Sequence, residues 1–538
     1  MKFNKLSLSL LLAATATAAN VSSPIGWGKN TTGGKGGVEY HVNSYKELKD
    51  ALDNNGKPNE PKIIYIESPI NGAEDDNGHI LTAEDLVPGF SFKKYLNCFS
   101  EDGSKWLDTD ECNKINEFRL QGAPLQAAQI MVRITPNTTI IGTGDDSRLE
   151  EMSIQVMETE NVIIRNLSVE APNDLFAEWD PTDGIHGSWN AEYDAIVINN
   201  STNVWIDNCY LSDGAKGVDT TDFVFGKYIE LHDGLLDIVN SADYVTVSNN
   251  RFENHQKTSL IGNKDSLTTD RGHLKVTIFN NVFMNCNERL PRVRFGKVHV
   301  FNNYYYAETF NPGYPSLTVN NYFHDDLANP QYFIGLGVYS DVLSEYNSFN
   351  YVGNEEIPAS DDIVVYSYGG YTFHDNGSEY NGKNLNFDKM AEESFKLKVK
   401  TKMEQNARNG KTNPDWVNAT FTTETFEPSE YYDYEVVKNL DYVNDLVNKV
   451  PSWMFDNVKE ETTTTVAIEE PTVIPTVSPT TPETETSEVD SNVEVDVDVD
   501  SSVEKEEDSA DEDSAVEVDV EADVKEEEDS ADDSDNEN

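Results

Sequence analysis

Cysteine is nearly absent. Four cysteines in 538 residues exclude a disulfide-built scaffold, and no pair has the spacing of a zinc site. Cys98 and Cys112 share one polar region and could bridge in an oxidising compartment, whereas Cys209 and Cys286 fall inside apolar strand patterns and read as buried thiols. Long hydrophobic runs are missing too. Residues 1–5 are basic, 6–12 apolar and 16–19 small, the layout of a cleavable export signal over residues 1–19. That apolar run is too short to span a bilayer, and no later stretch approaches a spanning length. The mature chain is expected to be secreted and extracellular, with no membrane insertion and no nucleic-acid partner. Asn-x-Ser/Thr sequons at Asn30, Asn137, Asn166, Asn200, Asn376 and Asn418 are open to glycosylation in a eukaryotic source.

Positive charge is scarce as well: 40 Lys and Arg stand against 97 Asp and Glu, a net of −57. The deficit is uneven. Residues 458–538 hold 31 acids, three lysines (459, 505 and 525) and no aromatic residue, so −28 lies in this segment and −29 in all the rest. It opens Thr/Pro-rich and becomes low-complexity Val-Asp and Glu-Glu-Asp-Ser-Ala, which cannot bury enough apolar surface to offset the entropy of ordering. A disordered, solvated tail is expected, and no loop in it has EF-hand spacing. The folded body is then residues 20–457.

What the body does have is an internal repeat. Val-x-(Ile/Val)-x-Asn occurs at 162–166, 204–208, 245–249, 276–280 and 298–302, and seven residues after each Val comes Val169, Leu211, Phe252, Phe283 or Tyr305. Alternation of this kind marks short strands with one buried face, each ended by an Asn at a turn. The starts are 42, 41, 31 and 22 residues apart, which fits coils of one size carrying loops of different length. The expectation is an all-β fold, a right-handed parallel β-helix with a ladder of these Asn side chains. Ser44-Tyr45-Lys46-Glu47 is a capping box for a short helix over the N-terminal end. Val436, Val437, Leu440, Val443, Leu446, Val447 and Val450 recur at helical spacing, which predicts a helix along the body.

Against the acidic background, Arg289, Arg292, Arg294 and Lys297 crowd into nine residues, a place suited to holding an anion. Asp194 opens the strand 195–198, and Asp233 and Asp237 flank Gly234-Leu235-Leu236 just before the next coil. Stacking of the coils would bring the three carboxylates together, and such a cluster calls for a cation; a hard divalent ion with oxygen ligands means Ca²⁺ first. Lys257 follows the third repeat and Arg289 the fourth, so cations and carboxylates come from successive coils. The juxtaposition suits an acidic substrate.

The run from Asp194 to Tyr305 resembles a family 1 polysaccharide lyase, a pectate lyase. The resemblance lies in Val204-Trp205-Ile206-Asp207, Asp233-Gly234-Leu235-Leu236-Asp237-Ile238, His255-Gln256-Lys257-Thr258 and Arg289-Leu290-Pro291-Arg292-Val293-Arg294-Phe295-Gly296. It extends to Trp179-Asp180-Pro181-Thr182-Asp183-Gly184 upstream and to Gly26-Trp27-Gly28. It covers residues 25 to 310 well, 310 to 457 loosely and the tail not at all. It implies Ca²⁺ on Asp194, Asp233 and Asp237, Arg289 as the base, and Lys257 and Arg294 as substrate binders. Two positions depart from the family: Asn208 stands where His is usual, and Gln256 where Asp is usual.

The activity implied is calcium-dependent β-elimination on polygalacturonate by a monomer, yielding 4,5-unsaturated oligogalacturonides. A guanidinium is protonated at neutral pH, so Arg289 can act as a base only where surrounding positive charge, from Ca²⁺, Lys257 and Arg294, lowers its pKa. A pectin lyase acting on methyl esters would dispense with calcium, and the three Asp residues argue against it. A polygalacturonase would need two flanking carboxyl groups rather than the Lys and Arg motifs. A non-catalytic pectin-binding protein would have no use for Arg289.

Overall fold

A computed structural model describes residues 23–183, 187–217, 221–309, 330–353 and 359–455. The expected export signal over residues 1–19 and the expected tail over 458–538 lie outside the described residues. Three parallel sheets of ten, eight and nine strands are each crossed once per coil, giving a right-handed β-helix. The repeat pattern marks one column of its interior. Val162, Val204, Val245, Val276 and Val298 are register partners from coil to coil and are fully buried. The residues seven positions on form a second column, in which the Phe252, Phe283 and Tyr305 rings stack at 4.9 and 4.8 Å. Each buried side chain of this size contributes roughly 1.5–3 kcal/mol.

The Asn ladder exists, but its buried rungs stand one residue beyond the expected ones. Asn250, Asn281, Asn303 and Asn347 are completely buried. Asn281 Oδ1 accepts from Asn250 N at 2.9 Å, and Asn303 Oδ1 accepts from Asn281 N at 2.9 Å. The Asn residues of the repeat itself (166, 208, 249, 280 and 302) hold left-handed backbone, φ 57, 56, 55, 54 and 53°, and form a looser outer row. Asn tolerates that conformation better than other residues with a side chain.

At the N-terminal end the helix Tyr45–Asp53 forms as expected, buries Leu48 and Leu52 and is capped by Ser44; Glu47 reaches back to the Asn43 N–H rather than to that of Ser44. The helix expected over 436–450 is shorter. Only Leu440–Asn444 is α-helical, followed by a 3₁₀ turn Asp445–Asn448. Val437 instead donates its N–H to Asn302 Oδ1 at 2.8 Å, which ties the chain to the outer Asn row before a helix can start. Val443, Leu446 and Val450 still pack on Val282.

Two long helices were not foreseen. Asp110–Ile130 is fastened to the preceding loop by a Cys98–Cys112 disulfide, and Cys209 and Cys286 are free and buried as expected. Phe387–Asn409 covers the C-terminal end, sending Phe387, Ala391 and Phe395 into the main core.

The eight-stranded sheet positions the site. Its strands include Ile196–Asn199, Leu236–Val239, Leu260–Ile261, Arg292–Val293, Ile334–Leu336 and Val365–Ser367. The long connections, residues 72–130, 171–195, 213–235 and 309–333, all enter this sheet from the nine-stranded one.

Candidate functional site

One outward column of the eight-stranded sheet runs Val197, Asp237, Leu260, Arg292, as successive register partners. Asp194 and Asp233 come from the loops that lead into the first two of these strands, Lys257 from the end of the strand Arg251–Lys257 just before the third, and Arg289 from the loop before the fourth. Stacking therefore does bring the three carboxylates and two of the cations together, as the repeat predicted.

Gly234 shows how close the acids stand. Its N–H donates to Asp194 Oδ1 at 2.8 Å. A Cβ at that position would lie 2.6 Å from Asp237 Oδ1 and 2.8 Å from Asp194 Oδ1. Any side chain there would fill the space between the two carboxylates. Asp237 is 6% exposed, and its Oδ1 also accepts from Leu260 N at 2.9 Å. Burial raises the Asp237 carboxyl first, Arg289 pulls it down and Asp233 raises it again, leaving it at about 7. Burial, Asp237 and Asp233 likewise hold Asp194 well above the usual carboxylate range.

These residues supply oxygen donors only, and their charges repel one another, so the donor chemistry fits a hard divalent cation. The ligand set is not closed. Among the described residues no three acidic, His or Cys side chains converge at ligand distance. Asp233 leans instead toward Lys257, its Oδ1 being 3.4 Å from Nζ.

Lys257 Nζ is 2.7 Å from Glu230 Oε1, a residue with no assigned role in the sequence reading. Burial alone would lower Lys257, but Glu230 and Asp233 outweigh it and push the amine up. His255 was also passed over, although it stands two residues before Lys257. Its Nδ1 meets Asp213 Oδ1 at 2.6 Å and its Nε2 meets the Asp233 carbonyl at 2.7 Å. Burial lowers the ring's pKa, but Asp213 and the Asp233 carbonyl outweigh it and raise it, so His255 ties the Asp233 backbone to a buried carboxyl group. The loop 213–235 folding back on itself creates these pairs, and no local pattern signals them. Gln256 buries its amide oxygen without a hydrogen-bond partner.

Arg289 holds φ 61°, a left-handed backbone that places its side chain at the corner of the coil. Its Nε is buried without a partner. The lowering expected of a calcium-loaded site is opposed by the acids that surround Arg289. Burial does pull it down, but Glu288, Tyr332, Asp237 and Asp233 together push it above the ordinary value. Arg294 stands apart from the three acids: it follows the strand Arg292–Val293, and its side chain turns to the loop after Leu260–Ile261. Its Nε donates to Asp265 Oδ1 at 2.8 Å, and Nη1 to the carbonyls of Gly262 at 3.1 Å and Asn263 at 2.8 Å.

With this geometry in place, known proteins provide a comparison. A family model described as pectate lyase matches residues 119–406. A pectate lyase of Bacillus subtilis is 36% identical over 401 residues, 72% of this chain and 90% of its own length. Pectate lyase D of Dickeya chrysanthemi is 35% identical over 374 residues, 68% of this chain and 80% of its own. Among solved structures, a pectate lyase bound to a hexasaccharide superposes with a TM-score of 0.64 at 30% identity, covering 80% of this chain and 98% of that one.

Proposed function

The chain belongs to the pectate lyase family and is a polysaccharide lyase, and from that premise we propose that it is an exported, monomeric, calcium-dependent enzyme. Its substrate is de-esterified (1→4)-α-D-galacturonan, cut by β-elimination to 4,5-unsaturated oligogalacturonides. The observation that carries this reading is the facing of Asp194, Asp233 and Asp237 with Lys257 and Arg289 on adjoining coils. The Cys98–Cys112 bridge favours an oxidising, extracellular compartment.

In this mechanism Lys257 pairs with a uronate carboxylate and Arg289 stands over C5. A calcium ion held by Asp194, Asp233 and Asp237 would supply the positive charge these carboxylates lack, acidifying C5–H and relieving the pull that keeps Arg289 protonated. Arg289 in its neutral form takes the C5 proton. The electron pair left on C5 forms the C4=C5 double bond, the C4–O bond breaks, and the leaving oxygen takes a proton from solvent. No water attacks the anomeric carbon. His255 orients the Asp233 backbone, and Glu230 holds Lys257 until a substrate carboxylate competes for it. Arg294 is assigned to substrate by resemblance; its engagement with loop 262–265 makes it the weaker of the two proposed binders.

Polygalacturonate turnover, read as ultraviolet absorbance of the conjugated product with and without a chelator, tests the reading. Absorbance should rise with calcium and stop on chelation. Undiminished turnover by fully chelated enzyme would remove the metal from the mechanism, and reducing-end release without absorbance would make the enzyme a hydrolase.

A further inference from the structure

The helix Asp110–Ile130 stands outside the three sheets and carries none of the candidate ligands. Its buried polar side chains grip one short segment, residues 173–176. Gln126 is 3% exposed. Its Nε2 donates to the Asn173 carbonyl at 2.6 Å, and its Oε1 accepts from Leu175 N at 2.9 Å, so one side chain holds the backbone on both sides of Asp174. Arg119 Nη1 donates to the Phe176 carbonyl at 3.3 Å. Gly122 permits the approach: a Cβ there would lie 2.1 Å from a Phe176 ring carbon.

Asp174 is itself buried, and it carries that hold onward to the acids. Its N–H donates to the Leu231 carbonyl at 2.8 Å, two residues before Asp233. Its Oδ1 accepts from Phe176 N at 2.8 Å and its Oδ2 from Glu192 N at 3.2 Å, two residues before Asp194. Tyr193, between Glu192 and Asp194, donates its hydroxyl to the Ala123 carbonyl of the helix at 3.0 Å, and its own carbonyl accepts from Asp233 N at 3.3 Å. The segments that bring Asp194 and Asp233 are thus both fastened to residue 174, and through it to one glutamine. The need for a fastening is electrostatic. Buried carboxylates repel one another, and with no cation between them that repulsion pushes the two segments apart.

We infer that Gln126 and Asp174 are positioning residues for the cation site, and that the helix Asp110–Ile130 is its brace, keeping Asp194 and Asp233 together before the ion arrives. Neither residue is a ligand. Gln126 carries no charge, so its removal acts on calcium affinity through geometry alone. The inference rests on the calcium reading above and goes beyond it by giving the affinity a source outside the ligand set.

Calorimetry on the full chain gives the Kd for Ca²⁺. Gln126→Ala and Asp174→Ala should each weaken it by about tenfold. The double variant should stay within about twofold of Asp174→Ala, because both act through the same segment. The calcium concentration for half-maximal turnover of polygalacturonate should rise by the same factor, and excess calcium should restore most of the turnover. Leu120→Ala, on the exposed side of the same helix, is the control and should keep Kd within about twofold of wild type. In chelator, hydrogen exchange at the Asp233 and Gly234 amides, which bridge the two segments, should quicken by about tenfold in Gln126→Ala. Unchanged Kd and exchange in Gln126→Ala overturn the brace, and losses that multiply in the double variant overturn the shared route. Should Asp174→Ala fail to fold, Gln126→Ala decides alone. Wild type that binds no calcium overturns the metal reading instead, and the exchange arm still decides the brace.

Discussion

Asp237→Asn should cost the protein its activity and, without metal, make it more stable. The Asp237 carboxyl is raised from 3.8 to about 7 in the folded chain, and at 6% exposure it has little solvent to screen it. A folded-state pKa above the unfolded one means that the folded chain binds the proton more tightly. The resulting penalty on folding is absent below about pH 4, grows between 4 and 7, and is complete above 7. Three pKa units correspond to about 4 kcal/mol. Asn keeps the shape and an oxygen for the Leu260 N–H while removing the charge. In EDTA at pH 8 the variant should therefore exceed wild type by up to about 4 kcal/mol. A folded body of this size shifts by about 2 °C per kcal/mol or less, so thermal melts should separate by no more than about 8 °C. At pH 4 the two should melt together. Calcium at about a thousand times its Kd adds about 4 kcal/mol to wild type and should close the gap. Wild type melting at or above the variant at pH 8 in EDTA would refute the account of Asp237 as a buried charge that its neighbours only partly compensate.

Arg289→Lys keeps a cation but shortens and narrows the side chain; elimination should fall by about 10²-fold or more, as for loss of a positioned base, measured as kcat on polygalacturonate, and near wild-type turnover would move the base to another group, Lys257 first. In the ladder, Asn281→Ala removes the acceptor of Asn250 N and the donor to the Val247 carbonyl, two buried groups at about 1–3 kcal/mol each. Asn280→Gly touches only the outer row and suits its φ of 54°, so it should be within about 1 kcal/mol of wild type; equal losses in denaturant melts would contradict the division into inner and outer rows.

The β-helix was legible because its interior repeats residue by residue, so a valine at one offset reports every coil. The ladder was misplaced by one residue for a related reason. Asn recurs in all five repeats at the left-handed turn, whereas the buried position after it is Leu167, then Cys209, and becomes Asn only from Asn250 onward. The helix Asp110–Ile130 escaped notice because its buried stripe is Cys112, Ile115, Arg119, Gly122, Gln126 and Ile130, regular in spacing but with two of its six members polar and one a glycine. Those polar members are matched by partners far along the chain: Arg119 by Glu178 at 2.8 Å and Gln126 by the Asn173 carbonyl at 2.6 Å. The acids, Lys257 and Arg289 could be placed from repeat spacing alone. Glu230, Asp213 and His255 could not, because a long connection sets their meeting.

The long connections that enter the eight-stranded sheet share one corner of every coil, while the short turns around the Asn rows sit elsewhere. Length can therefore change at that corner without disturbing the register of any strand, since the ladder resets the chain on each circuit. That corner is an editable margin on a fixed frame. A lineage could widen, roof or re-aim the groove by lengthening a single connection, with the carboxylates and Arg289 left where the frame holds them.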